Sequence, residues 1–145
     1  RKFAEVSAKH FGYDRSEASG AGAAGGLGYA FLQYFNAKAR PGAELLLEKI
    51  GFDALIQNAD LVITGEGHSD RQTLMGKLPQ RILEHVTNQK IWLVSGGVSD
   101  RQAMLDAGFD RVIQITPDNM PLDVALKPDV ARNNMIKAII MEEKQ

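Results

Sequence analysis

Two carboxylates and an ammonium group stand close together in Thr64-Gly65-Glu66-Gly67-His68-Ser69-Asp70-Arg71-Gln72-Thr73-Leu74-Met75-Gly76-Lys77-Leu78-Pro79. Glu66 and Asp70 are two carboxylates in what reads as a glycine-flanked loop. Such a pair can hold Mg²⁺, or one member can accept a proton from a substrate hydroxyl. Pro79 suits the first turn of a helix, which puts Lys77 beside a helix start. Free backbone N–H groups and the helix dipole favour an anion there. Carboxylates beside a lysine at a helix start suit phosphoryl transfer. The segment is not a Walker A loop. Arg71 stands where that loop needs its first glycine, and Leu78 follows Lys77 where Ser or Thr is required. The plain alternatives are a Gly-Glu-Gly turn, an Asp70 helix cap and a surface lysine.

A second stretch, Gly20-Ala21-Gly22-Ala23-Ala24-Gly25-Gly26-Leu27-Gly28, contains a literal G-x-G-x-x-G. The dinucleotide reading of that pattern needs a strand immediately before it. Arg15-Ser16-Glu17-Ala18-Ser19 is not strand-like, so close helix packing or a phosphate-cradling loop of another fold fits better. His10, His68 and His85 lack metal-ligand spacing. His68 lies within the candidate site; the other two read as surface or helix-flank residues. Ser95 has no nucleophile-elbow context. Trp92 reads as core.

The elements that must position these groups change character at residue 61. Leu61-Val62-Ile63-Thr64, Ile91-Trp92-Leu93-Val94-Ser95 and Val112-Ile113-Gln114-Ile115 are nearly continuous apolar runs. Strands buried on both faces of a parallel sheet look like this. Helical patterns separate them: Ile82, Leu83 and Val86, then Ala103, Met104 and Ala107, closed by Gly108. Pro128 opens a terminal helix with the stripe Met135, Ile136, Ile139, Ile140. The expected fold is α/β: a three-stranded parallel unit of a Rossmann-like, doubly wound domain. Ligands bind beyond the carboxyl ends of such strands. That makes Thr64, Gly65, Gly67, His68 and Gln72 after the first strand, and Ser95 and Gly96 after the second, candidate binding residues.

Residues 1–58 read as mostly helical and glycine-rich, the end of a second domain. An amphipathic helix is expected over 1–11, with Phe3, Val6 and His10 on one side. Leu27, Ala30, Phe31, Tyr34 and Phe35 follow at helical spacing. The domain line is drawn at 58/59. Three strands leave two open sheet edges, which suggests that sequence is missing.

Composition narrows the function classes. With 145 residues, 44% hydrophobic and 24% charged, the chain can bury a core. A net charge of -1 gives no reason to expect nucleic acid or an anionic membrane as partner. The absence of cysteine excludes disulfide scaffolds and thiolate chemistry. No apolar run reaches membrane-span length, and a cytoplasmic location is expected.

Asp60-Leu61-Val62-Ile63-Thr64-Gly65-Glu66-Gly67, then Asp70, Gln72-Thr73 and Gly76-Lys77-Leu78-Pro79, resembles the signature of bacterial type I glycerate kinases. The glycine-dense segment over 20–28 resembles that family's other strong motif. Arg40-Pro41-Gly42 and Met120-Pro121-Leu122 fit the same likeness, which runs over nearly the whole chain. The resemblance implies a chain more than twice this length, with two α/β domains. Residues 1–58 would be the tail of the middle domain, and 59–145 would complete the first, whose opening strands are absent. It implies ATP-dependent phosphorylation of D-glycerate with Mg²⁺, in a cleft between domains. Glu66 and Asp70 would bind the metal or take the hydroxyl proton, Lys77 would offset phosphate charge, and Gly22, Gly25 and Gly26 would supply backbone N–H groups. The family more often has a basic and then an aliphatic residue where His68-Ser69 stands; His68 can replace the basic residue only when protonated. A non-catalytic nucleotide- or anion-binding module is the alternative of a different class.

Overall fold

The computed structural model describes residues 2–143. They form two compact units, divided between Leu45 and Leu46.

The first unit holds helices α1 (Lys2–Phe11) and α2 (Ala23–Tyr34). The stripe expected on α1 is not its buried face. Phe3 and Val6 are exposed, and Ser7 is the buried residue. Its hydroxyl donates to the Phe3 carbonyl oxygen at 2.8 Å and also meets the Tyr34 hydroxyl. Phe3 still uses its ring, edge-on to Tyr29 and stacked on Tyr34, each at 5.8 Å. On α2 the buried side is Tyr29, Leu32 and Gln33, whereas Leu27, Phe31, Tyr34 and Phe35 are exposed. Gln33 is fully buried because its amide is satisfied: it donates to the Tyr13 carbonyl and accepts from the Arg15 N–H.

The glycine-dense segment folds back on itself. Ala24, Gly25 and Gly26 all have positive φ, at 50°, 67° and 98°, so regular helix begins only after them. A Cβ on Gly28 would lie 2.0 Å from the Gly20 carbonyl oxygen, and the Tyr29 N–H donates to the Ala21 carbonyl at 2.9 Å. The residues before the segment form turns, not a strand. The dinucleotide-loop reading therefore fails on its own criterion.

The second unit contains the end of α3 (Gly42–Ile50), α4 (Phe52–Ile56), β1 (Leu61–Ser69), α5 (Leu78–His85), β2 (Lys90–Val98), α6 (Arg101–Ala107), β3 (Arg111–Gln114), α7 (Leu122–Ala125) and α8 (Pro128–Glu143). Its sheet is parallel, in the order β1-β2-β3. Val62 pairs with Ile91 and Thr64 with Leu93, so these side chains share one face with Val112. Ile82 of α5 and Met104 of α6 pack there. The opposite face presents Trp92, Val94 and Ile113 to Ala138 and Ile139 of α8. Helices on both faces explain why the strands carry apolar residues in unbroken runs.

Two boundaries differ from the sequence reading. Leu47 and Ile56 are buried in the core beneath the sheet, so residues 46–58 belong with the sheet and not with the helical part before it. The first two strands also run past their apolar runs, to Ser69 and Val98. Glycine is what permits this. A Cβ on Gly65 would lie 2.2 Å from the Val94 carbonyl oxygen, and one on Gly96 would lie 2.4 Å from that of Gly67.

Candidate active site

Glu66 is a strand residue, paired with Ser95 across the sheet, and not a loop residue. It sits near the carboxyl end of β1, where α/β sheets bind ligands. Asp70 follows the last strand residue and caps a single 3₁₀ turn, Arg71–Leu74. Its Oδ1 accepts from the Gln72 N–H at 2.8 Å, and its own N–H donates to Thr73 Oγ1 at 3.1 Å. This reciprocal capping box fixes the backbone direction after the strand. Gly76 then takes φ +94°, a value that favours glycine. Lys77 becomes the N-cap of α5, with Pro79 in the first turn.

This path returns Lys77 to the carboxylates. Its Nζ lies 3.5 Å from Glu66 Oε2 and 3.8 Å from Asp70 Oδ1. The Glu66 side chain is 16% exposed, against 34% for Asp70 and 40% for Lys77. The three charged groups singled out in the sequence thus converge on one spot, with Glu66 innermost. The other oxygen of Glu66 has different company. Oε1 accepts from Thr73 Oγ1 at 2.5 Å and from Ser69 Oγ at 3.1 Å.

Not every candidate binding residue reaches that spot. Thr64 is buried in the sheet, and Ser95 is 1% exposed with its hydroxyl against that of Ser69. Gly65 and Gly96 serve the close approach of β1 and β2, whereas a Cβ on Gly67 would meet nothing within 4 Å. His68 is exposed, and its Nε2 lies 2.8 Å from Ser99 Oγ. Gln72 uses its backbone in the cap and leaves its side chain exposed. Gly22, Gly25 and Gly26 lie in the first compact unit. A Cβ on any of them would meet nothing within 4 Å. The sequence reading missed Ser69 and Thr73. Both lie inside the recognised motif, but nothing in a lone Ser or Thr marks it as a partner of Glu66.

Among the described residues, no three His, Cys, Asp or Glu side chains are grouped to hold a metal ion. Glu66 and Asp70 are the carboxylates at this spot that could hold a divalent ion. No helix among the described residues is long and apolar enough to cross a membrane.

Comparison with known proteins gives the same assignment from a separate direction. The model of the Glycerate kinase family matches residues 1–141. The chain is 37% identical to glycerate kinase of Bacillus subtilis over 86% of its own length and 34% of that protein's. It is 30% identical to glycerate 2-kinase of Escherichia coli over the same shares. A crystal structure described as that of a glycerate kinase 2 from Salmonella typhimurium LT2 superimposes with a TM-score of 0.67 at 28% identity. That match covers 99% of this chain and 37% of the other. The chain therefore spans about a third of the length of the relatives it matches. On its motifs, its sheet and these matches together, the chain belongs to the glycerate kinase family.

Proposed function

We propose that this chain is the C-terminal part of a two-domain glycerate kinase, and that Glu66, Asp70 and Lys77 serve phosphoryl transfer from ATP to D-glycerate. The convergence of Lys77 on both carboxylates carries this reading. Phosphoryl transfer asks a protein mainly for positioning and for charge placed around the moving phosphate. Lys77 offsets negative charge on the transferring group. Glu66, innermost and held through Oε1, takes the proton of the attacking hydroxyl with Oε2. Asp70, nearer the rim, would hold Mg²⁺, and the ion would supply neutralisation of phosphate charge. Gly22, Gly25 and Gly26 offer backbone N–H groups to substrate from the other domain.

The sheet supports the expected domain arrangement. In it, the helical, glycine-rich part up to residue 45 ends the middle domain, and the unit from residue 46 on, which holds the sheet, completes the first, Rossmann-like domain with strands from the missing N-terminal portion. β1 is an edge strand, and Ile63 stands 50% exposed on the face that α8 covers. α5 and α6 lie on the opposite face. Right-handed crossovers beyond β1 place the added helices on the α8 side, where Ile63, Ile136 and Ile140 await cover. The winding then reverses at β1. Such a reversal opens a ligand crevice at the strand's carboxyl end, where Glu66 stands. A cytoplasmic location goes with this metabolic role.

A coupled assay for ADP formation with D-glycerate, on the full-length protein that carries this chain, tests the reading. Glycerate-dependent ADP release that collapses in Glu66→Gln supports it. Nucleotide binding without turnover supports a non-catalytic binding module instead.

A further inference from the structure

Three hydroxyl side chains beside the charged cluster are withdrawn from solvent. Ser69 and Thr73 are 0% exposed and Ser95 is 1% exposed. Buried hydroxyls must find partners, and the chemistry of these partners fixes the direction of every bond. An ionised carboxylate only accepts. Ser69 and Thr73 each have one proton, and each gives it to Oε1 of Glu66, at 3.1 and 2.5 Å. Thr73 Oγ1 keeps lone pairs and accepts the Asp70 N–H at 3.1 Å. Ser69 Oγ, its proton committed, accepts from the Ser95 hydroxyl against it. The result is one directed chain from Ser95 through Ser69 to Glu66, met from the other side by Asp70 N–H and Thr73.

We propose that Thr73, Ser69 and Ser95 are positioning residues for Glu66. They hold Oε1, so the carboxylate cannot rotate freely and Oε2 alone is presented toward Lys77, 3.5 Å away. Thr73 has a second effect. One hydroxyl joins the Asp70 backbone to the Glu66 side chain, so the two carboxylates keep a fixed separation. None of the three touches substrate; they act through Glu66. This rests on the reading of Glu66 as the proton acceptor given above.

The experiment is steady-state kinetics with D-glycerate and ATP on the full-length enzyme, with thermal melts in parallel. Thr73→Val keeps the shape and removes the hydroxyl. It is expected to lower kcat about 10- to 100-fold, the usual range for residues that orient a functional side chain. KM should stay within about threefold, because substrate contacts are intact. Thr73→Ser, which restores the hydroxyl, should recover kcat to within about threefold of wild type. Ser69→Ala should lower kcat by about tenfold, and Ser95→Ala by less, since it acts one bond further away. Glu66→Gln is the control. If Glu66→Gln is inactive while folded Thr73→Val and Ser69→Ala turn over normally, the positioning role is overturned and the role of Glu66 stands. If Glu66→Gln itself turns over normally, both fall. Should Thr73→Val not fold, Ser69→Ala decides alone: an unchanged kcat in a folded Ser69→Ala enzyme overturns the proposal.

Discussion

The Lys77 ammonium nitrogen stands 3.5 Å from Oε2 of Glu66, on the carboxylate oxygen that Ser69 and Thr73 leave open. The pair is too long to be a strong hydrogen bond, and its lysine is 40% exposed. As a partly exposed ion pair it contributes little to stability, about 0–1 kcal/mol. Its value lies in where it puts charge. Lys77→Met should therefore leave the melting temperature nearly unchanged. It should lower kcat/KM about 10²- to 10³-fold, the range for losing a group that stabilises transition-state charge. Lys77→Arg should recover little, because a planar guanidinium cannot replace a compact ammonium between two carboxylates. Parallel melts and initial rates on the full-length enzyme decide this; a wild-type rate in Lys77→Met would remove lysine from the mechanism.

Asp70 has a local structural duty beside the chemical one proposed for it, and two substitutions separate them. Its side chain caps the 3₁₀ turn through the Gln72 N–H. Asparagine caps as well as aspartate, whereas alanine does not. Asp70→Asn should melt like wild type, and Asp70→Ala should lose about 1 kcal/mol. Both should lose activity if the carboxylate holds Mg²⁺, and raising Mg²⁺ should recover neither fully, since neither side chain carries the charge. Full activity in Asp70→Asn would reduce Asp70 to a cap.

What the sequence made legible, and what it hid, divide along physical lines. The strand cores were legible because burial on both faces leaves unbroken apolar runs, such as Ile91 to Val94. The turn into α6's end was legible because Gly108 takes φ +118°. The convergence of Glu66, Asp70 and Lys77 followed from placing them at one strand end. The strand ends were not legible. Glycine ordinarily marks a turn, and here Gly65 and Gly96 instead let two strands close on each other. The buried faces of α1 and α2 were hidden for another reason. Ser7 and Gln33 are buried through hydrogen bonds to partners distant in sequence, Tyr34 and Tyr13 among them. No period in hydrophobicity reports those partners. The same blindness applies to Ser69, Thr73 and Ser95.

Asp14 offers a prediction on pH. Its carboxylate accepts the Ser16 hydroxyl at 2.8 Å and the Ser16 N–H at 2.9 Å. These bonds, the hydroxyl first, hold its pKa below the ordinary 3.8. A carboxyl whose folded value is depressed stabilises the fold above the ordinary value. That contribution is lost as pH falls through the lower, folded value. Carboxyl-carbon NMR titration should find Asp14 below 3.8. Ser16→Ala should move it up toward that value without fully reaching it, because the backbone N–H remains. A titration indifferent to Ser16→Ala would show that the hydroxyl does not set it.

The glycines of the strand ends give the sharpest contrast between packing and ligand approach. Gly96 and Gly67 face each other across β1 and β2, yet only one of them is crowded. A Cβ on Gly96 would lie 2.4 Å from the Gly67 carbonyl oxygen, whereas a Cβ on Gly67 would meet nothing within 4 Å. The neighbour at Gly96 is backbone, so it cannot swing aside, and the strands must part. Parting them pulls Ser95, which precedes Gly96, away from Ser69 and loosens the hold on Glu66. Gly96→Ala should therefore cost about 1–3 kcal/mol of stability, as overpacking does, and activity should fall with it. Gly67→Ala should fold and melt like wild type. Any loss of activity in Gly67→Ala then has one source, a methyl group in space that substrate needs, and it should appear as a raised KM for glycerate or ATP. Equal melting temperatures for the two variants would show that β1 and β2 do not need their close approach at Gly96.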